Sequence, residues 1–287
     1  MTNNAKVKTF PLPTGRKMPA LGQGTWHMGE NPAKRQAEID ALRYGLDLGM
    51  TLIDTAEMYG EGEAERIVGE AIAGRREEVF LVSKIYPHNA TRTGTPVACH
   101  RSLCRLGTNY LDLYLLHWIG EVPVAETLEA FQSLKAAGVI RDYGVSNFDL
   151  DDLADAIDLP GGQQIVTNQV LYNLAHRGIE WDLLPWCLER RIPIMAYSPI
   201  ENGPREQKAL FSNPTLLKIA AAHEATPAQV ALSWALHQGV VAIPKASDPA
   251  HVRQNRAALD LTLTKNELKE LDRAFSPPTR KVQLAMR

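Results

Sequence analysis

The sequence has 287 residues, 45% hydrophobic and 22% charged, a balance close to that of folded globular proteins and far from disordered or fibrous chains. Lysine and arginine number 31 against 33 for aspartate and glutamate, so a formal net charge of -2 offers no global attraction to nucleic acid. No apolar run approaches the ~20 residues of a membrane span, residues 1–6 carry no apolar targeting run, and Cys99, Cys104 and Cys187 lack disulfide or zinc spacing. A cytoplasmic protein with packed, reduced thiols is expected, without nucleic-acid or membrane contact and without a metal site.

Residues 10–13 and 17–21 flank Thr14-Gly15 and predict a β-hairpin placed to plug a barrel floor. From there a repeat sets in, with short β-branched or aliphatic runs alternating with amphipathic stretches, each pair taking roughly thirty residues. Strands are predicted at 20–26, 51–56, 79–84, 110–118, 140–147, 165–170, 193–199 and 240–246. Helices are predicted between them, at 37–48, 63–73, 96–106 and 124–137 among others, and Gly49, Gly74, Gly107 and Gly138 sit where helices stop. Residues 201–212, with Gly203-Pro204 and then Asn213-Pro214, read as a polar loop in contact with a ligand. Residues 264–275 read as a closing helix with Thr264 as N-cap and Glu267 three positions on. Eight strands with eight crossovers predict an α/β fold, a (β/α)8 TIM barrel with an N-terminal hairpin over its floor, and residues 1–287 read as one domain.

A barrel of this kind gathers its chemistry at the C-terminal ends of its strands. Asp54, Lys84 and His117 end the second, third and fourth predicted strands, and Tyr59 follows in the next loop. Singly, each residue has an ordinary structural explanation. Together they suit a carbonyl-reducing site, because hydride arriving at a carbonyl carbon leaves an alkoxide that must take up a proton. Tyr59 is the expected donor, with the Lys84 ammonium lowering its pKa and Asp54 holding Lys84 charged. A neutral His117 is expected to donate a hydrogen bond to the substrate oxygen.

At these residues the sequence resembles the aldo-keto reductase family, through Gly24-Thr25-Trp26, Leu52-Ile53-Asp54-Thr55-Ala56-Glu57-Met58-Tyr59, Val82-Ser83-Lys84 and Leu113-Tyr114-Leu115-Leu116-His117-Trp118. Gly144-Val145-Ser146-Asn147-Phe148, Thr167-Asn168-Gln169, Met195-Ala196-Tyr197-Ser198-Pro199 and Ile243-Pro244-Lys245 continue the likeness in the same order. It is nearest to bacterial members that reduce methylglyoxal and other small aldehydes. The resemblance implies a catalytic tetrad of Asp54, Tyr59, Lys84 and His117, with Tyr59 as general acid. It implies Ser146, Asn147 and Gln169 on the nicotinamide carboxamide, Tyr197 stacked on the ring, and Thr25 and Trp26 in the cofactor and substrate walls. The structural alternative makes Tyr197 a core residue and Asn147 a cap of the following helix.

The resemblance also places the segment 198–202, including Ser198, Ile200 and Asn202, over the pyrophosphate, Lys245 and Ser247 at the adenosine phosphate, and Asn255 at adenine. His251 stands where NADP-preferring relatives often have arginine, and Gln254 where they often have glutamate. Without the planar guanidinium fork the phosphate clamp rests on Lys245, with Arg253 a second cation that could turn inward, so NADPH is favoured and NADH stays admissible. Trp26 and Trp118 are expected to wall a pocket for small activated carbonyl compounds. The short link 118–123 and a tail with little apolar bulk beyond Val282, Leu284 and Met286 should leave its rim open.

Gly22-Gln23-Gly24 and Gly60-Glu61-Gly62 lack the full dinucleotide-loop spacing and read as turns, and the charge run at 75–78 reads as a solvated helix end. Two other functions fit a barrel with these residues. One is a nicotinamide-binding regulatory subunit with little turnover; the other is a metal-dependent isomerase or an aldolase, the latter with Lys84 forming a Schiff base. The complete tetrad favours an enzyme acting on a small-molecule carbonyl substrate with no obligate protein partner.

Overall fold

The computed structural model describes residues 7–287, so residues 1–6, read above for targeting signals, lie outside the described part. The hairpin pairs β1 (Thr9–Pro11) with β2 (Lys17–Pro19) antiparallel, Phe10 opposite Met18. Eight parallel strands come next: β3 (Gly22–Gly24), β4 (Leu52–Asp54), β5 (Phe80–Ile85), β6 (Leu111–Leu116), β7 (Ile140–Ser146), β8 (Ile165–Leu171), β9 (Ile194–Tyr197) and β10 (Val241–Ile243). Each pairs with the next in chain order, and the sheet closes where Ala242 N–H donates to the Ala20 carbonyl at 2.9 Å and Gly24 N–H to that of Pro244 at 3.0 Å. All eight predicted strands form, most of them shorter than read. Gly22-Gln23-Gly24 is strand β3 rather than a turn. A Cβ on Gly24 would stand 2.9 Å from the Ile243 carbonyl oxygen, so glycine is what lets the first and last strands meet.

The helices are α1 (Arg35–Asp47), α2 (Glu63–Ile72), α3 (Gly94–Leu106), α4 (Val124–Ala136), α5 (Leu150–Asp158), α6 (Leu183–Glu189), α7 (Pro204–Phe211), α8 (Pro214–Ala222), α9 (Pro227–His237), α10 (Pro249–Ala257) and α11 (Lys265–Ala274). Gly107 closes α3 in the left-handed region at φ 61°, a conformation that costs a residue with a Cβ. Thr264 and Glu267 form the reciprocal capping box expected of the closing helix. The predicted loop at 201–212 is mostly α7, and Asn213 caps α8 by accepting from Thr215 N and Leu216 N. Proline at the first helical position supplies the φ a helix needs and lacks an N–H that would go unpaired there, so Gly203-Pro204 and Asn213-Pro214 are helix starts. None of the described helices is long and apolar enough to cross a membrane.

Strand residues alternate between two buried layers, which is why they read as unbroken apolar runs. Leu52, Val82, Leu113, Leu115 and Met195 fill the barrel interior, whereas Ile53, Leu81, Tyr114 and Leu116 pack under the helices. Leu12 and Met18 of the hairpin join the interior cluster and seal its floor. Charges lock that seal: Arg16 reaches Asp112 Oδ1 at 2.5 Å and Asp142 Oδ2 at 3.2 Å, and Arg76 reaches Asp112 Oδ2 at 2.8 Å. Arg76 therefore belongs to the floor and not to a solvated helix end, because Asp112 lies buried on the strand beside it.

Both carboxylates are buried, so losing Arg16 leaves each with one partner fewer in a low-dielectric setting. Arg16→Met should lower stability by about 2 kcal/mol in urea unfolding and leave kcat unchanged, since the floor lies at the opposite end from the strand termini that carry Asp54 and Lys84. An unchanged unfolding midpoint would show that the hairpin is held by apolar contact alone.

Candidate active site

The alternation that fills the barrel also aims its polar residues. Asp54 follows Leu52 by two, Lys84 follows Val82, His117 follows Leu115 and Tyr197 follows Met195, so all four inherit the inward face at the same end of the barrel. Asp54, His117 and Tyr197 line a cavity of about 250 Å³, and Lys84 is fully buried beside Asp54. Tyr59 reaches the cavity from a tight turn in which its N–H donates to the Ala56 carbonyl at 3.1 Å.

Lys84 is the hub. Its fully buried ammonium donates to Asp54 Oδ2 at 2.7 Å, to the Thr55 carbonyl at 2.9 Å and to the Tyr59 hydroxyl oxygen at 3.2 Å, which uses all three of its protons. The other Asp54 oxygen accepts from Gln169 Nε2 at 2.8 Å, and the Asp54 carbonyl accepts from the Thr25 hydroxyl at 3.0 Å. Burial works against the Lys84 charge, but Asp54 and Tyr59 outweigh it and raise its pKa. Lys84 lowers the Tyr59 pKa as expected, but it does not set the balance. Burial of the phenol dominates, with Asp54 adding to it, and the net shift is upward. Tyr59 is thus held as the phenol. His117 is held neutral, its pKa pushed well below the usual imidazole range by burial first and by the Lys84 charge second. Its ring lies edge-on to Tyr59 with centroids 5.8 Å apart, and its Nδ1 meets no partner among the described residues.

Asn147 sits at φ 61°, a left-handed conformation that asparagine tolerates better than most residues. It does not cap the next helix, since Asp149 does that through a capping box with Asp152. Instead Asn147 Nδ2 donates to the His117 carbonyl at 3.0 Å and its Oδ1 accepts from the Tyr197 hydroxyl at 2.9 Å. The Ser146 hydroxyl donates to the Gln169 carbonyl at 2.8 Å. Because Gln169 Nε2 is spent on Asp54, its Oε1 is the atom left to accept from a ligand amide.

Trp26 lines the cavity and stacks on His27 with centroids 4.4 Å apart. Trp118 does not line it. It packs against His117 at 4.8 Å and edge-on to Tyr86 at 5.8 Å, because the chain has already turned out of the barrel one residue after His117.

Toward the other end Ser198, Ile200, Asn202 and Lys245 continue the wall. Lys245 Nζ reaches Ser247 Oγ at 3.3 Å and is within ion-pair distance of no described carboxylate, which suits it to an anion. Ser247, His251 and Asn255 stand outside the cavity. His251 is exposed and paired with Asp248 at 2.5 Å, while Asn255 is buried on α10. Arg253 does not turn inward; it lies over the Tyr44 ring and donates to its hydroxyl at 3.0 Å. An amide acceptor at Gln169, an aromatic ring at Tyr197 and an unneutralised cation at Lys245, in that order along one cavity, fit a nicotinamide dinucleotide.

Sequence reasoning missed His27, Met58 and Arg287, which line the cavity together with Glu201 and Gln207 of the segment read as ligand contact. Arg287 brings the tail to the rim: its backbone N–H donates to the Tyr197 hydroxyl at 3.3 Å. His27 and Met58 adjoin the site residues Trp26 and Tyr59 without any pattern that marks them, and Arg287 is delivered from far along the chain by the segment after α11.

Residues 20–275 match the sequence model of the Aldo/keto reductase family. The chain is 53% identical over 270 residues to methylglyoxal reductase YeaE of Escherichia coli, covering 94% of this chain and 95% of that protein. It is 31% identical to aldo-keto reductase family 1 member A1 of Cricetulus griseus, over 91% of this chain and 87% of that one. A crystal structure of an aldo/keto reductase from Klebsiella pneumoniae in complex with NADP and acetate superposes with a TM-score of 0.95 at 49% identity, covering 99% of this chain and 100% of that one. With eight strands closed into a barrel and Asp54, Tyr59, Lys84 and His117 gathered at one end, this chain belongs to the aldo/keto reductase family.

Proposed function

We propose that this enzyme reduces small activated carbonyl compounds such as methylglyoxal to alcohols with NADPH, with Tyr59 as the proton donor. The observation that carries the reading is the Lys84 ammonium hydrogen-bonded to both Asp54 and the Tyr59 oxygen, beside a neutral His117. When bound, the reduced nicotinamide supplies the hydride. The protein's own part is to hold and release one proton. Because Lys84 donates to the Tyr59 oxygen, the phenolic proton is free to point into the cavity toward a carbonyl oxygen. Its raised pKa keeps that proton in place until an alkoxide develops, and the adjacent ammonium then stabilises the phenolate left behind. His117, uncharged, offers an N–H to the same oxygen and orients it. Gln169 and Asn147 orient the carboxamide, Tyr197 flanks the ring, and Lys245 meets the adenosine phosphate. The full commitment of the buried Lys84 protons supports this electrostatic role over Schiff-base chemistry, which needs an unprotonated amine in contact with substrate.

The short link between β6 and α4 and the aromatic wall at Trp26 support a preference for small electrophilic carbonyls, which need little binding energy from remote groups. Methylglyoxal reductase YeaE, at 53% identity, supports the same substrate class. Three cysteines without a disulfide among them, two of them buried, support a reducing compartment such as the cytoplasm.

Tyr59→Phe should leave NADPH binding within about twofold and lower kcat for methylglyoxal by about 10²-fold or more, the usual cost of losing a general acid. Stopped-flow oxidation of NADPH checks this, and near-normal turnover sinks the assignment. A His117 that stays neutral leaves kcat/KM for reduction without an inflection between about pH 6 and 8, the window in which an ordinary imidazole titrates. The rate should fall only on the alkaline side, as pH rises past the raised pKa values of Tyr59 and Lys84. NADPH should exceed NADH in kcat/KM, and Lys245→Met should reduce that ratio by about tenfold, the scale of one charged hydrogen bond. Parallel assays with the two cofactors decide it; an unchanged ratio would place the phosphate elsewhere.

A further inference from the structure

The loop 198–202, which forms one wall of the cavity between β9 and α7, holds Ser198 at φ 48° and Glu201 at φ 63°, left-handed conformations that are unfavourable for residues other than glycine. Such a backbone persists only where its surroundings hold it. From the barrel body, Asn173 Nδ2 donates to the Ser198 carbonyl at 2.8 Å, Gln207 Nε2 donates to the Glu201 carbonyl at 2.9 Å, and His176 Nε2 lies 3.1 Å from Glu201 Oε1. The remaining tethers come from outside the barrel. Arg287, in the segment 276–287 that lies beyond α11 without helix or strand, donates to Glu201 Oε2 and to Asn202 Oδ1, both at 2.5 Å. The Glu201 carboxylate is almost completely buried, so the pair is shielded from solvent on its acidic side. Burial opposes its charge, yet His176 and Arg287 hold its pKa below the usual carboxylate value.

We propose that Arg287 and Glu201 form a latch that retains the cofactor, with both as positioning residues that take no part in the chemistry. The pair joins the loop 198–202 to the segment 276–287 across the mouth of the cavity, since both residues line it. The same arm touches the nicotinamide end, because the Arg287 N–H donates to the Tyr197 hydroxyl, which in turn donates to Asn147 Oδ1. Withdrawing Arg287 would therefore loosen the loop and Tyr197 together. A side chain on a segment without regular structure can withdraw without disturbing the core, whereas Asn173 and Gln207 are tied to the barrel and to α7.

The inference rests on the reading that this cavity takes NADPH, and the test separates the two. Wild-type protein, Arg287→Met, Glu201→Gln and the double variant are loaded with NADPH, and its release is followed by stopped-flow fluorescence during displacement with excess NADP⁺. Each single variant should release NADPH about tenfold faster, the scale of one charge-assisted hydrogen bond, and the double variant no faster than either. The equilibrium Kd, read from quenching of tryptophan fluorescence, should rise in step. Unchanged release rates, effects that multiply in the double variant, or a shift confined to the melting temperature would each overturn the latch. Absence of quenching by NADPH in the wild-type protein would overturn the cofactor reading, and the latch with it.

Discussion

Lys84 carries a positive charge into a barrel interior that is otherwise aliphatic, with its side chain fully buried and 2.7 Å from an Asp54 oxygen that is nearly as inaccessible. Removing two charges from water is costly, and their mutual attraction offsets that cost only when every remaining proton and lone pair is also satisfied. The site is arranged accordingly. Thr55 contributes a carbonyl, Tyr59 a phenolic oxygen, and Gln169 an amide to the second carboxylate oxygen, so the ion pair dictates the placement of three further residues. A buried pair of this kind is poor evidence of stability, and its value here is chemical. In the proposed reaction it keeps a fixed cation beside a phenol that becomes a phenolate for an instant, with no solvent reorganisation needed at that moment.

Around this centre the backbone departs from its preferred conformations. Of the seven described residues other than glycine with positive φ, His27, Asn147, Ser198 and Glu201 line the cavity. Each turns the chain sharply just beyond a strand end, where regular hydrogen bonding has run out and a side chain must be aimed inward. Asn147 shows how such a conformation is retained, with its amide fastened to the His117 carbonyl and to Tyr197 so that neighbouring strand ends brace one another. The barrel below supplies the rigidity for this. Its floor is sealed by an apolar hairpin and by arginines that span the buried Asp112 and Asp142.

Much of the protein is legible along the chain, because the information is local or periodic. Apolar runs near thirty residues apart specify the strands, and period-two alternation aims Asp54, Lys84 and His117 at the same end of the barrel before any contact is known. Thr264 and Glu267 announce their helix for the same reason, since a capping box spans four residues. Gly203-Pro204 and Asn213-Pro214 are equally local, but a proline suits a loop and a helix start alike, and only the helical course of residues 204–211 and 214–222 separates the two.

Other properties had no local signature. The sign of the Tyr59 shift depends on how deeply its hydroxyl is buried relative to the pull of Lys84, and burial exists only once the barrel has closed around both. Gln169 reads from sequence as a cofactor contact; that it also anchors Asp54 is a consequence of strands 115 positions apart arriving on one face. Trp118 is excluded from the cavity by the direction the chain takes one residue after His117, and Arg287 enters it because a segment without regular structure folds back over the β9 loop. Residue types and spacing thus determined the barrel and the chemistry at its mouth, since both arise from short-range patterns. Tertiary structure alone decided protonation, second partners and the rim, because each depends on distances between segments that the order of residues does not encode.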